Sequence, residues 1–227
     1  MTIIRRTIAL TVLVLILASC QKTARITDPP TNGKNPNRSF SALELQPMRE
    51  GSWRFEVTEG PRVGKVLTAT VKSDGLKRWR YELEATRVVF FEITENGDLT
   101  VTHEQDLEEN VDVRYTPALV MLPQTLSVGQ PLADACDVVV TNLKTGGIRD
   151  RGRCVYTREL IGPSAEQPTT WLVRCNRTLD LRLAKADVTI ETAYLPGEGM
   201  ETERVAQETK PLGLFTIKKV EALKLLR

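Results

Sequence analysis

The sequence predicts an all-β fold, an antiparallel meander of about ten or eleven strands forming a curved sheet, an open half-barrel or a sandwich. Three observations carry this. From residue 51 onward, apolar and polar residues alternate at period two, which gives a strand one buried and one wet face. Turn residues interrupt these runs at short intervals, as they do between strands. No stretch of the body sustains apolar residues at helical spacing.

The elements follow in order. Trp53, Phe55 and Val57 alternate with Arg54, Glu56 and Thr58. Leu67, Ala69 and Val71 alternate with Thr68, Thr70 and Lys72, and Trp79, Tyr81 and Leu83 with Arg78, Arg80 and Glu82. Val88 to Phe91 is continuously apolar, as expected of a strand covered on both faces. Asn96-Gly97 supplies a tight turn into Leu99, Val101 and His103. The stretch from Thr116 to Gly129 contains Pro117 and Pro123 and reads as a link between two halves. Cys136-x-Val138-x-Val140, Cys154-x-Tyr156 and Trp171-x-Val173-x-Cys175 follow, separated by turns at Thr145-Gly146-Gly147 and Gly162-Pro163-Ser164. Ala186, Val188, Ile190 and Thr192 precede Pro196-Gly197. In the last stretch, Phe215, Ile217, Leu223 and Leu225 share strand parity. A helical stripe from Ile217 meets the charged Glu221 and Lys224, so strand is the better reading.

The N-terminal segment is of another kind. Arg5 and Arg6 precede an apolar stretch, Thr7 to Leu17, within the length of about 7–15 residues expected of a signal-peptide core. It is short of the roughly 20 residues of a membrane-spanning helix. Leu17-Ala18-Ser19-Cys20 then resembles the lipobox of bacterial lipoproteins. The resemblance implies cleavage before Cys20, acyl chains on its sulfur and new amine, and a membrane held as partner through them. Gln21, where such proteins carry Asp for inner-membrane retention, implies the periplasmic face of the outer membrane. The chain accordingly divides into a signal peptide (1–19), the lipidated Cys20 with a flexible tether (20–50), and a single β domain (51–227). Pro29-Pro30, Asn32-Gly33 and Asn35-Pro36-Asn37 mark the tether.

Cleavage alters the charge balance. The whole chain has 31 basic and 29 acidic residues; loss of Arg5 and Arg6 leaves 29 of each. A neutral chain argues against nucleic acid as a partner, because phosphate binding needs a basic surplus. Lys77, Arg78 and Arg80 read as a solvated strand face.

Within the body, Gln46-Pro47-Met48-Arg49-Glu50-Gly51-Ser52-Trp53-Arg54-Phe55 resembles the opening of many uncharacterised bacterial envelope proteins. Leu122-Pro123 with Leu126-x-Val128-Gly129, and Tyr194-x-Pro196-Gly197-x-Gly199, are similar to two further elements of such proteins. The resemblance implies an antiparallel β domain related to the half-barrels of lipoprotein carriers, and no catalytic activity.

Three cysteines remain in the domain. If the hairpin turns centre at Thr145 and between Ser164 and Ala165, Cys136 opposes Cys154 and Cys154 opposes Cys175, in one core-facing row. An exported compartment permits a disulfide, and opposed residues lie about 4.5–5.5 Å apart at Cα, within bonding range. One bridge with one thiol left over, three buried thiols, and a different pairing all remain open. No Cys-x-x-Cys motif accompanies them, and no metal or other cofactor is expected. His103 is the only histidine, so any Ser-His or Cys-His catalysis would have to use it. Glu104, Asp106, Glu108, Glu109 and Asp112 form an acidic cluster without calcium-loop spacing and read as a solvated loop.

The expected function is therefore that of a non-enzymatic envelope lipoprotein with no catalytic residues. Trp53, Phe55, Trp79 and Tyr81 share one sheet face that could hold an apolar ligand, a lipid or acyl chain. A structural or protein-interaction module of an envelope complex is the alternative, and an unrecognised hydrolase a third.

Overall fold

The computed structural model describes residues 38–227. The described chain opens with β1 (Ser39–Phe40) and the one-turn helix α1 (Ala42–Leu45). There follow β2 (Gly51–Glu59), β3 (Val66–Ser73), β4 (Arg78–Leu83), β5 (Arg87–Ile93), β6 (Leu99–Asp106), β7 (Val111–Leu122) and β8 (Leu126–Ser127). β9 (Leu132–Asn142), β10 (Ile148–Pro163), β11 (Trp171–Leu181), β12 (Ala184–Leu195), β13 (Gly199–Pro211) and β14 (Ile217–Leu226) complete the chain.

Twelve of these strands close an antiparallel barrel in chain order, β2 through β7 and then β9 through β14, with β14 pairing back onto β2. β1 and β8 form a separate two-stranded ladder. The all-β antiparallel reading holds. The sheet closes fully on itself rather than stopping as a half-barrel or splitting into a sandwich, and has more strands than the ten or eleven expected. The expected link also contributes strand: it holds the second half of β7 and, outside the barrel, β8. Thr116–Leu122, expected to be part of a link, continues a strand whose register with β6 shifts beside it. Pro117, which has no N–H to give, lies at that irregularity, where strand prolines are tolerated.

Alternation sets the two faces. Phe55, Val57, Leu67, Ala69 and Leu83 point inward and are buried with Leu223. Outward residues carry paired charges: Arg174–Glu191, Arg204–Glu59, Arg78–Glu92 and Arg80–Glu82. This exterior differs from the apolar band about 25 Å tall that membrane-spanning barrels present.

A barrel of about eight strands is just filled by its own side chains; twelve leave a wider interior that must be filled otherwise. At one end the filling is local chain. Ser41 caps α1, accepting from the Glu44 N–H, while its own N–H donates to the Glu44 carboxylate at 2.7 Å. That backbone hydrogen bond keeps the Glu44 carboxyl below its usual range. The cap lets a single turn turn Ala42 and Leu45 inward, where they join Phe40, Leu126 and Val128 against Leu99, Leu122 and Leu160. Trp171 closes over Phe40, their rings 4.9 Å apart and edge-on. Residues 38–50 are thus the plug of the barrel, a correction to the tether expected through residue 50. Residues 1–37, with the expected signal peptide, Cys20 and the Pro/Asn-rich stretch, lie outside the described residues.

Candidate ligand site in the barrel lumen

Below the plug the lumen is crossed by two ion pairs. Arg87 at the start of β5 reaches Glu203 on β13 at 2.6 Å. Arg177 on β11 reaches Glu104 on β6 at 3.3 Å. The partner strands are far apart around the barrel, so both pairs run from wall to wall. Long guanidinium side chains span a width that apolar side chains would not.

Beside these struts lies a cavity of about 90 Å³. Val89, Phe91, Val101, Met121, Val173 and Ile190 give it apolar walls, and Arg87, Arg177, Glu104, Glu203 and Tyr81 give it polar ones. A second cavity of about 70 Å³ lies under Gln46, Pro47 and Arg49. Gln46, Val71, Tyr81 and Met200 line both, so the two adjoin.

The electrostatics of the lumen are balanced but not saturated. Burial alone would favour neutral guanidines, but Glu203 beside Arg87 and Glu104 beside Arg177 override it and hold both cations charged. Tyr115 donates its O–H to Glu104, and burial together with that carboxylate keeps the phenol far from ionisation. Burial likewise pushes Tyr81 up to about 12. Two arginines and two glutamates leave no net charge. Of the buried side-chain atoms without a hydrogen-bond partner among the described residues, Arg87 Nε, Arg177 Nε, the Tyr81 hydroxyl and Gln46 Oε1 belong to residues that line these cavities. The first three can donate and the Gln46 oxygen accepts, so donors outnumber acceptors in the lining but do not stand alone. No family model, curated protein or solved structure matches the chain.

The four residues of the expected aromatic face are placed as follows. Trp53, Phe55 and Tyr81 line the smaller cavity. Trp79 lies opposite Phe91 and Ser73, and is not part of either lining. Trp53 folds back over Gly51, where a Cβ would stand 2.7 Å from its ring.

The cysteine row is corrected. Cys136 and Cys154 are cross-strand partners, as expected, and both are buried free thiols. The hydrogen bond to Cys136 and burial hold the Cys154 thiol far above its ordinary range. Cys154 faces Leu179, however, and Cys175 faces Arg158. The β10–β11 loop runs from Ser164 to Thr170, closed by Ser164 N–H donating to Thr170 C=O at 2.9 Å and by the buried Thr170. Its longer span, with a register shift at Leu160/Gly162, slides the pairing. Cys175 lines the larger cavity, apart from the other two.

The acidic cluster does not converge either. Glu104 faces the lumen, Asp112 pairs with Arg114, Glu108 with Arg62, and Glu109 with Lys219. Among the described residues no three His, Cys, Asp or Glu side chains gather as metal ligands would. His103 stacks flat on Phe90 outside the lumen, with ring centroids 3.9 Å apart, and burial lowers its pKa. The residues that sequence reasoning missed are Arg87, Arg177 and Glu203. A usable signal existed: Arg177 has the parity of Val173 and Cys175, and Glu203 that of Val205, so each is a charge on an apolar face.

Proposed function

We propose that this chain is an envelope lipoprotein, anchored through acylated Cys20 at the periplasmic face of the outer membrane, whose barrel binds a small amphiphile without chemical change. The observation that supports this is the lumen: apolar walls on one side and unpartnered Arg87, Arg177 and Tyr81 donors on the other. An acyl chain would lie along Val89, Phe91, Val101 and Ile190. Its acceptor-bearing head, a carboxylate or ester carbonyl, would meet the free guanidinium and phenol hydrogens.

Size narrows the ligand. The cavities are about 90 and 70 Å³, and an engineered apolar cavity of about 150 Å³ takes a benzene. A short acyl chain, or the end of a longer one, fits this scale, and a whole phospholipid does not. Titration of the purified protein with butanoate or hexanoate, followed by tryptophan fluorescence and calorimetry, is expected to saturate at one site. Ile190→Phe, which fills the cavity, should remove that binding while the protein keeps its circular dichroism spectrum. A folded wild type that takes up neither acid overturns the reading.

A further inference from the structure

The end of the barrel opposite the plug has a surface that the lumen does not explain. Hairpins β9–β10, β11–β12 and β13–β14 all turn there. Their tips expose Ile148, Leu183, Leu212, Leu214, Phe215 and Ile217, with Leu214 at 76 % and Leu212 at 66 % of full exposure. Solvated turns rarely hold so many large apolar side chains together.

The hairpins are fastened to one another. Leu212 N–H donates to Leu183 C=O at 2.8 Å. The Asp150 carboxylate accepts from the N–H groups of Arg182 and Leu183 at 3.1 and 3.0 Å. The apolar side chains therefore stand on one braced rim.

Basic residues are interleaved with them. Arg151, Arg182, Lys185 and Lys210 make no ion pair among the described residues, and Lys185 lies directly opposite Lys210 across the β12–β13 ladder. Like charges facing each other destabilise a sheet; Asp180, opposite Lys185 on its other side, offsets part of that cost for Lys185. Of the nearby acids, Asp150 is engaged with backbone, Asp187 with Thr178 and Glu208 with Lys218, while Asp180 stands opposite Lys185 in the β11–β12 ladder and leaves Arg151, Arg182 and Lys210 as the basic surplus.

We propose that this rim is a docking surface for an anionic lipid bilayer. Leu212, Leu214 and Phe215 insert among the headgroups, and Arg182, Lys185 and Lys210 meet their phosphates. Two features favour a bilayer over a protein. Protein interfaces are depleted of Lys, whereas basic side chains flanking apolar ones are the pattern of membrane-surface elements. Side chains carried on hairpin tips also suit a fluid partner, which adapts to them without shape complementarity. The inference is independent of the ligand proposed for the lumen.

A chain from Gln21 onward contains every described residue and no acylation site, so it isolates the rim from the anchor. It should co-sediment with vesicles of 30 % phosphatidylglycerol in phosphatidylcholine, and at least tenfold more weakly with phosphatidylcholine alone. Leu214→Ser/Phe215→Ser should lose at least tenfold in binding, and Lys185→Glu/Lys210→Glu should lose the preference for the anionic lipid. Leu76→Ser, at the plugged end and 92 % exposed, should bind as wild type. These side chains bury little, so the variants should keep the wild-type melting temperature. The proposal is overturned if the chain stays in the supernatant, if all variants sediment alike, or if Leu214→Ser/Phe215→Ser instead converts a dimer to a monomer.

Discussion

Arg177 has its side chain 10 % exposed and Glu104 25 %. Each is tolerated in the lumen because the other is there, and removing one leaves a charge with little water around it. Arg177→Met should cost about 3 kcal/mol, the lower end of the range for breaking a buried pair. Adding Glu104→Gln removes the stranded charge and keeps an acceptor for Tyr115, so the double variant should recover most of the loss. Urea unfolding of both single variants and the double checks this, and additive losses would mean that the pair is not coupled. At this scale the sequence was legible where a residue type and its parity agree. Cys136, Val138, Cys154, Tyr156 and Val173 were placed inward and are buried. It was illegible where they disagree: Glu104 was read as part of a wet acidic loop because charge outweighed position.

Among the elements, β10 carries the tightest constraint. Gly152 packs against β11 so closely that a Cβ there would stand 1.9 Å from Asp180 O and 2.7 Å from Leu181 Cα. Both are backbone atoms and cannot swing aside. Gly152→Ala should therefore destabilise by about 1–3 kcal/mol, as overpacking does, seen as a lower urea midpoint. An unchanged midpoint would show that the two strands can separate locally. Long period-two runs such as Trp53 to Val57 and Leu67 to Val71 announced their strands, because one face of each meets the core. The plug was not announced. β1 has two residues and α1 four, too few to show a period, and the Pro/Asn composition just before them pointed to tether. The β10–β11 loop was misplaced because Gly162-Pro163 resembles a turn, yet both residues lie at the end of a strand paired with Trp171 and Leu172.

At the scale of the molecule, the two ends of the barrel differ. The plugged end receives the chain at Arg38, whose C=O accepts from Val128 N–H at 3.1 Å. The far end carries the apolar, basic rim. Strands of about 12 residues, tilted as in barrels, stand roughly 30 Å tall. The stretch from Cys20 to Arg38 could extend to about 60 Å. The proposed anchor at Cys20 and a rim seated on the same membrane are thus compatible in reach. In cells fed a labelled fatty acid, Cys20→Ala should abolish labelling and leave an unprocessed precursor. Labelling that persists would remove the anchor from the account.

The seam between β14 and β2 pairs Leu225 with Phe55 and Leu223 with Val57, joining segments from nearly opposite ends of the body. Loop closure over such a separation comes late in folding. A chain made from its N-terminus has β2 through β13 available before β14 arrives. Until then the sheet has two raw edges, β2 and β13, each a template for pairing with another molecule. The hazardous interval in the folding of this barrel is the wait for its last strand, and whatever shields it then has those two edges to cover.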